Sequence, residues 1–408
     1  MKFMLSERAR LVVGKLLEVV VDAIKLQRLI FSILLILTSI QSAFAEMMEK
    51  GKTRVKTLLN AYSQKSTSGK QVLDNSGIED VLVFEPQIFV KHQITEDTEI
   101  NASFVLDTWT AESDTILDGN TGASGEGKTG QARFASTLGA RKEIDKASYG
   151  MNLGFSSEYD YTSKNISFDF ERSFAEDNFT VGLGLQYYAD TVNLFQDITP
   201  ATSAHISEGF NRDIYAINLS ASQILTRKDL IVLGTTYANS KGRLESTAGT
   251  VNIAGTREVE VLPGERKRNA FSAKWVHSLS ENTALNLGHR YYFDDWGLKS
   301  NSIRGAYLIS LRDDLDFLEF ALRYHSQGSV DYYKDRFSST ERYMTSDSDL
   351  SKFHSYEPTV LYSRHLGEYK AYDIIDVEDV EWTNSLSYSK RNTGLHSIYL
   401  QTGISFFF

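Results

Sequence analysis

The stretch GASGEGKT, from Gly122 to Thr129, fits the G-x-x-x-x-G-K-[ST] pattern of loops that bind ATP or GTP phosphates. That chemistry needs a buried strand before the loop and a helix after it, because backbone N–H groups at the helix start face the phosphates. Here the preceding residues, TAESDTILDGNT, are polar. The following residues, GQARFASTLGARK, place Phe134 and Leu138 on one face of a strand. We therefore interpret the stretch as a surface loop and predict no nucleotide and no other cofactor.

Other residues capable of catalysis or metal binding show no recognisable spacing. The chain has no cysteine, which excludes disulfides, thiolate metal sites and cysteine nucleophiles. Its 8 histidines form no H-E-x-x-H pattern, and the acidic residues before the Gly-rich stretch lack EF-hand spacing. His325 and Glu319 could be assembled as a catalytic base and its partner, but neither lies in a known motif. We predict no metal site and no enzyme activity, with a barrel lipase or protease as a less favoured alternative.

The overall charge argues against nucleic acid as a partner. The 408 residues include 43 basic and 53 acidic side chains, for a net charge of -10. Nucleic-acid binding depends on clustered Lys and Arg side chains that contact phosphates. We therefore predict no nucleic-acid partner.

The amino-terminal segment resembles an export signal. Lys25 and Arg28 precede the apolar run LIFSILLILTSI, and the sequence QSAFA follows with Ala43 and Ala45 in an A-x-A cleavage pattern. A membrane anchor is the alternative, but the run is short for the ~20 residues of a spanning helix. We predict a signal peptide at 1–45, cleaved after Ala45, and a mature domain at 46–408. Because the residues before the run are unusual for a signal, we hypothesise a true start near Leu26, which mapping of translation initiation would test.

The mature sequence has a period of two, the period of β-strands. In YGMNLGFSSEYDY, the apolar residues Tyr149, Met151, Leu153 and Phe155 alternate with small and polar residues, and the same face is expected to include Tyr159 and Tyr161. Successive side chains of a strand point to opposite faces, so each such segment has one apolar and one polar face. Sixteen segments fit, near residues 53–64, 79–93, 99–109, 132–142, 148–161, 165–174, 178–189, 212–225, 230–239, 268–279, 283–294, 300–311, 317–325, 354–366, 379–390 and 395–408. The segment 367–380 is ambiguous.

The connections between these segments alternate in length. Short turns such as AEDN and SENT alternate with longer polar loops near 110–131, 190–211, 240–267 and 326–353. Outer-membrane barrels have short periplasmic turns and long extracellular loops. We therefore predict an all-β fold, a single transmembrane antiparallel β-barrel of about 16 strands (14–18), in the outer membrane of a Gram-negative bacterium.

The last strand carries a further signal. In SIYLQTGISFFF, the residues Ile398, Leu400, Ile404, Phe406 and Phe408 share one face. An apolar last strand that ends in an aromatic residue resembles the signal read by the outer-membrane assembly machinery. We predict that machinery and outer-membrane lipid as partners.

Charged residues should point into the barrel, because a charge on the lipid-facing side costs about 2–4 kcal/mol near the membrane centre. In the first half the predicted lumen-facing charges are mainly acidic: Glu85, Asp107, Glu158 and Asp169. In the second half they are mixed, with more basic residues: Lys274, Arg290, Asp294, Arg304, Glu319 and Arg323. Two interpretations remain open. The charges form opposing walls of a pore for small polar solutes, or they pair and fill the lumen of a binding or assembly scaffold.

Four stretches also resemble a known family. They are HRYYFDDWGLKSNSI (His289–Ile303), LRYHSQGSVDYYKDRF (Leu322–Phe337), RKRNAFSAKWVHSL and SDSDLSKFHS. Together they resemble a family of predicted bacterial outer-membrane β-barrel proteins that carries only a domain-of-unknown-function label. The resemblance covers most of the mature chain and is strongest from about residue 266 onward. It implies an outer-membrane barrel and supplies no substrate or catalytic residues. In YYFDDWGLKS we predict a tight turn at Asp294, Asp295 and Gly297, after an aromatic girdle that includes Tyr291 and Phe293.

Overall fold

Nearly all of the described chain is β-structure. The computed structural model describes residues 48–66, 81–111, 131–197, 205–247, 249–312, 315–371 and 375–408. The strands are β1 Thr53–Ser66, β2 Val81–Thr95, β3 Thr98–Ala111, β4 Gln131–Ile144, β5 Ala147–Ser157, β6 Tyr161–Phe174, β7 Phe179–Asp197, β8 His205–Thr226, β9 Asp229–Gly242, β10 Thr250–Ile253, β11 Thr256–Val259, β12 Glu265–Ser280, β13 Thr283–Asp294, β14 Lys299–Leu311, β15 Asp316–Gln327, β16 Phe353–Ala371, β17 Ile375–Arg391 and β18 Leu395–Phe407. A 3-10 turn spans Ser348–Leu350. Within the described ranges, no helix has the length and apolar character needed to span a membrane.

Sixteen of the strands close into one antiparallel barrel. Each barrel strand pairs with its neighbours in sequence, except that β9 pairs directly with β12 because β10 and β11 form a separate two-stranded sheet. The barrel closes where β1 pairs with β18, from Arg54 opposite Phe407 to Ser66 opposite Leu395. Closure removes the unpaired edges that an open sheet would present. The predicted all-β barrel of about sixteen strands is therefore confirmed.

The outer face of the barrel is apolar. On β5, Met151 is 49% exposed and Leu153 is 56% exposed, and the cross-strand neighbour Leu138 is 63% exposed. The residues between them, including Gly150 and Asn152, point to the opposite face. Exposed apolar side chains on almost every barrel strand form a continuous band, which is the arrangement that lipid requires.

Aromatic side chains pack in pairs towards both ends of this band. Towards the end that holds the chain termini, the ring centroids of Phe174 and Phe179 lie 6.2 Å apart. Towards the opposite end, the rings of Tyr187 and Tyr215 lie 4.9 Å apart. At ~3.3 Å per residue and a tilt of ~40°, the β7 residues Phe179 and Tyr187 are separated by roughly 20 Å along the barrel axis. That separation suits aromatic girdles at the two surfaces of a membrane.

The connections at the two ends of the barrel differ in length. At the end that holds the chain termini, which we call the terminus end, the turns β2–β3, β4–β5 and β8–β9 contain 2 residues each. At the opposite end, which we call the loop end, residues 328–352 connect β15 to β16. Residues 112–130 between β3 and β4, which include the stretch Gly122–Thr129, lie outside the described ranges. The sequence predicted this segregation from the spacing of the strands.

Three local differences from the sequence prediction have physical causes. The chain turns at residues 158–160, so Tyr161 begins β6 and lies on its inner face, where its hydroxyl donates to Asp190, rather than on the apolar face. The loop predicted near 240–267 contains the hairpin β10–β11. The ambiguous segment after residue 366 is paired, through bulges, between β16 and β17. These parts lie beyond the apolar band, so they lack the alternating signal that marks a membrane strand.

The tight turn predicted between β13 and β14 is confirmed. The N–H of Gly297 donates to Asp294 O at 3.3 Å, and Gly297 has a positive φ of 90°. A residue with a side chain is strained in that conformation, whereas glycine adopts it readily. Tyr291 and Phe293, with ring centroids 5.8 Å apart, precede the turn on the outer face.

Candidate functional site in the barrel interior and the loop cap

The inner face of the early strands holds acidic side chains that are hydrogen-bonded or ion-paired to neighbouring residues. Glu85 on β2 accepts a hydrogen bond from Asn60 Nδ2 at 2.5 Å. Asp107 on β3 is only 6% exposed and is bonded by Arg133 of β4 at 2.5 Å. This side of the interior therefore combines carboxylates with hydrogen-bond donors and one guanidinium.

Asp169 differs from these carboxylates because its side chain is exposed to solvent. Its cross-strand neighbours are Gly150 and Gly184, neither of which has a side chain. It is exposed, and its carboxylate accepts one long hydrogen bond of 3.3 Å from Asn152. An exposed charge on the inner face indicates a space that water can enter.

Glu158 lies just past the end of β5, at the rim of the loop end. Burial, together with the neighbouring charge of Asp160, raises the pKa of Glu158 to about 7. The rim therefore holds a carboxyl group that titrates near neutral pH.

The later strands present basic side chains, some paired and some not. Arg304 bonds Glu319, and Arg323 bonds Glu357 at 2.5 Å. The side chains of Lys274 and Arg290 make no ion pair or hydrogen bond with any other residue in the described ranges. Arg290 is exposed although it lies on the inner face.

Asp294 is held by the turn that it begins and by side chains of β12 and β13. Its side chain is 0% exposed and bonds Arg266 at 2.5 Å. It also accepts hydrogen bonds from the N–H groups of Trp296 at 3.0 Å and Leu298 at 2.9 Å, and from the Tyr292 hydroxyl at 2.8 Å. These bonds give the carboxylate a structural role at the loop end.

The acidic and basic groups lie across the barrel from each other. In the order of the sixteen strands, β2 and β12 are eight strands apart, as are β3 and β13. In a closed ring of sixteen strands, eight steps lead to the opposite side. Glu85 and Asp107 are therefore on the wall facing the one that carries Lys274 and Arg290.

A folded cap covers part of the loop end. We define the loop cap as residues 243–264, 295–298 and 328–352, apart from residue 248, which lies outside the described ranges. Phe337 N–H donates to Asn252 O at 2.8 Å, and Met344 N–H donates to Val261 O at 2.7 Å. Val251, Phe337 and Met344 are 0–2% exposed and form a hydrophobic cluster. Backbone bonds and apolar packing thus join two long loops into one structure.

A second apolar cluster anchors this cap to the barrel. It contains Leu262, Trp296, Leu298 and Val330. The indole Nε1 of Trp296 donates to Glu265 O at 2.8 Å. The cap is therefore fixed to the ends of β12, β13 and β14.

Glu260 bonds the two long loops at the centre of the cap. It accepts hydrogen bonds from the N–H of Ser246 at 2.7 Å and from Thr345 Oγ1 at 2.9 Å. Burial, with a smaller contribution from the charge of Glu245, raises the pKa of Glu260 to about 7. A cavity of about 230 Å³ lies beside these residues, lined in part by Leu194, Arg243 and Val259.

The structure separates His325 from Glu319, the pair considered from sequence. Glu319 bonds Arg304 instead. His325 Nδ1 lies 2.7 Å from Ser302 Oγ, and His325 Nε2 lies 3.2 Å from Gln327 Oε1. Only cross-strand register shows that Ser302 is opposite His325, so no sequence spacing signalled this contact. In the described part of the chain, no cluster of three or more acidic, His or Cys side chains could hold a metal ion.

The sequence matches one family model. The family described as "Protein of unknown function (DUF3570)" matches residues 126–375, more than half of the chain. The chain belongs to the DUF3570 family. This confirms the resemblance found in the sequence, and the family range includes the whole loop cap and the contact between Ser302 and His325. A search of curated proteins finds no match.

Three solved structures are similar to this DUF3570 member at low sequence identity. One is titled "Bacterial polysaccharide outer membrane secretin", with 9% identity, a TM-score of 0.45, and coverage of 86% of this chain and 98% of that chain. Pseudomonas aeruginosa OpdK with vanillate has 8% identity, a TM-score of 0.40, and coverage of 88% and 98%. Acinetobacter baumannii OccAB4 has 10% identity, a TM-score of 0.41, and coverage of 90% and 100%.

Proposed function

We propose that the barrel is an outer-membrane channel for small polar solutes. The observation that carries this proposal is the exposure of Asp169, Arg290 and Arg323 on the inner face of a closed barrel. A lumen filled by side chains would bury these charges, and each buried charge would need a partner. Their exposure supports a water-filled space that polar solutes can occupy.

The outer face of the barrel supports an outer-membrane location. The apolar band and its aromatic pairs suit a lipid bilayer, and closed barrels of this type cross bacterial outer membranes. The predicted signal peptide at 1–45 lies outside the described residues and would direct export. The last strand, with Ile398 and Leu400 about half exposed on the outer face, would engage the assembly machinery. These features support our proposal that the protein lies in the outer membrane of a Gram-negative bacterium.

We propose that the opposing charges create a field across the lumen that influences which solutes pass. Glu85 and Asp107 face the wall of Lys274 and Arg290 across the lumen. A field of this kind orients dipolar solutes and sets ion selectivity. Rings or walls of charge act strongly in a narrow lumen, because low-dielectric walls focus the field.

Single-channel conductance of the folded protein in a planar bilayer tests the proposal. We expect discrete steps, and Arg290→Glu with Arg323→Glu should raise the permeability ratio of cations to anions. Lys228→Glu, in an exposed turn at the terminus end, is the matched control and should leave that ratio unchanged. Unchanged selectivity of the double variant in an open pore would refute the charged walls.

A binding or assembly scaffold is the second candidate, and the loop cap favours it. The two long loops are held together by buried residues, so they offer a fixed surface at the loop end of the barrel. Folded protein that never conducts, before or after removal of residues 328–352, would reject the channel and favour the scaffold.

A further inference from the structure

One row of inner-face residues combines a hydroxyl, an imidazole and a guanidinium. In cross-strand register, Arg290 of β13 lies opposite Ser302 of β14, and Ser302 lies opposite His325 of β15. Side chains directly opposite each other in an antiparallel pair point to the same face, with Cβ atoms about 4.5–5.5 Å apart. The three groups are thus neighbours at one level of the barrel interior.

The hydrogen bonds of Gln327 fix the direction of its amide. Its Nε2 donates to the backbone oxygens of Asp349 at 2.8 Å and Ser351 at 2.7 Å. Both amide hydrogens are used by these carbonyls, so the amide nitrogen cannot be exchanged with the amide oxygen. The Oε1 atom of Gln327 is therefore the one that faces His325.

That direction determines the tautomer of His325. Gln327 Oε1 accepts only, so His325 Nε2, at 3.2 Å, must carry the hydrogen. In a neutral imidazole the other nitrogen is then bare. His325 Nδ1 consequently accepts the hydroxyl hydrogen of Ser302 at 2.7 Å. A serine beside a base that is oriented by a third group is the arrangement of nucleophilic catalysis.

Arg290 supplies a positive charge near Ser302 and His325. It is exposed, and it makes no ion pair or hydrogen bond with another residue of the described chain. Its cross-strand position opposite Ser302 puts its cationic side chain on the same inner face, next to the serine that would act as the nucleophile. Positive groups aimed at a developing oxyanion stabilise the transition state of acyl transfer.

We propose that Ser302, His325 and Arg290 form a hydrolytic site for small water-soluble carboxylic esters that enter the barrel. Ser302 Oγ bonds to the ester carbonyl carbon while its proton passes to His325 Nδ1, and Arg290 stabilises the oxyanion. The C–O bond to the alcohol breaks, and that alcohol leaves with the proton from His325. Water then attacks the acyl-serine with His325 as base, which releases the carboxylic acid and restores Ser302. Gln327 is a positioning residue that acts through His325.

A fluorophosphonate probe tests the nucleophile directly, since it phosphonylates an activated serine with loss of fluoride. The folded wild-type barrel in detergent is treated with the probe, and the modified peptide is identified by mass spectrometry. We expect modification at Ser302 and hydrolysis of p-nitrophenyl acetate by the same sample. His325→Gln should slow both by about 100-fold, the loss typical of removing a general base.

Ser272 is the matched control. It lies on the inner face, opposite Arg290 on the other side, and is exposed, but its hydroxyl bonds only the backbone oxygen of Gly234 at 3.4 Å. Ser272→Ala should therefore keep both activities, whereas Ser302→Ala should abolish them. Nitrogen chemical shifts of His325 should show a protonated Nε2, and Gln327→Leu should produce a mixture of tautomers.

These experiments test the hydrolytic site independently of channel function. Modification at Ser302 that depends on His325 supports the site, whether or not the barrel conducts ions. No modification of folded wild-type protein, or equal modification of Ser272 and Ser302, overturns it. The comparison of Ser302 with Ser272 is read in the wild-type protein, so this part of the test does not depend on whether a variant folds.

Discussion

Replacing Glu260 with Gln should remove the pH dependence of the loop cap. The pKa of Glu260 rises from its ordinary value of 4.5 to about 7, because burial between the two loops disfavours the charged form. A raised carboxyl pKa means that its contribution to cap stability is fully present below pH 4.5 and is lost as the pH rises through 7. The cap should accordingly weaken between these two values.

The size of the effect follows from the two pKa values. For an opening that exposes Glu260 to water, linkage gives a loss of about 2.5 kcal/mol between pH 5 and pH 8. That loss corresponds to roughly a 70-fold increase in the opening constant. Gln has the same shape and no charge, and its amide can bond both Ser246 and Thr345. In Glu260→Gln the opening constant should therefore be nearly constant over this range.

Amide hydrogen exchange at Val261 and Met344 measures the opening, because these residues pair the two loops. Rates are corrected for the intrinsic pH dependence of exchange. Glu258→Gln, an exposed carboxylate on the same hairpin, is the control and should behave as wild type. Protection of the wild-type cap that is the same at pH 5 and pH 8 would refute the reasoning.

Three further changes test other parts of the structure. Leu153→Arg should destabilise the barrel by about 2–4 kcal/mol in a lipid-based unfolding titration, because the side chain faces lipid, whereas Asn152→Arg on the inner face should cost less. Asp294→Ala should cost about 3–5 kcal/mol in cap stability, since it leaves the Arg266 charge unpaired and mostly buried, and exchange at the 296–298 amides reports the loss. Amino-terminal sequencing of the exported protein should begin at the residue after Ala45; any other first residue contradicts the predicted cleavage.

The sequence predicted the barrel well because lipid imposes a simple pattern. Residues such as Met151 and Leu153 must be apolar, and the residues between them must not be, so alternation alone locates the strands. The turn at Gly297 was also predictable, since Asp and Gly residues in that order favour a tight turn. Both signals are local, involving residues a few positions apart.

The interior and the cap could not be predicted in the same way. Glu260 and Thr345 are far apart in sequence, and only tertiary packing brings them together. The contact of His325 with Ser302 depends on the register between β14 and β15. Shifting that register changes which side chains face each other while leaving every apolar pattern intact along each strand. The sequence alone therefore predicted which charged residues face the lumen. It did not predict which residues they form ion pairs or hydrogen bonds with.

The pairing of β1 with β18 also constrains the order in which the protein folds. Arg54 lies opposite Phe407, and Thr53 and Phe408 exchange two backbone hydrogen bonds, of 2.8 and 3.0 Å. Closing a loop of that length in an unstructured chain costs about 3 kcal/mol more entropy than closing a ten-residue hairpin. If the neighbouring strands pair first, the growing curved sheet brings its own edges together and removes most of that cost. The seam should therefore form last, and a chain interrupted before β18 is left with two open edges that can pair with other chains.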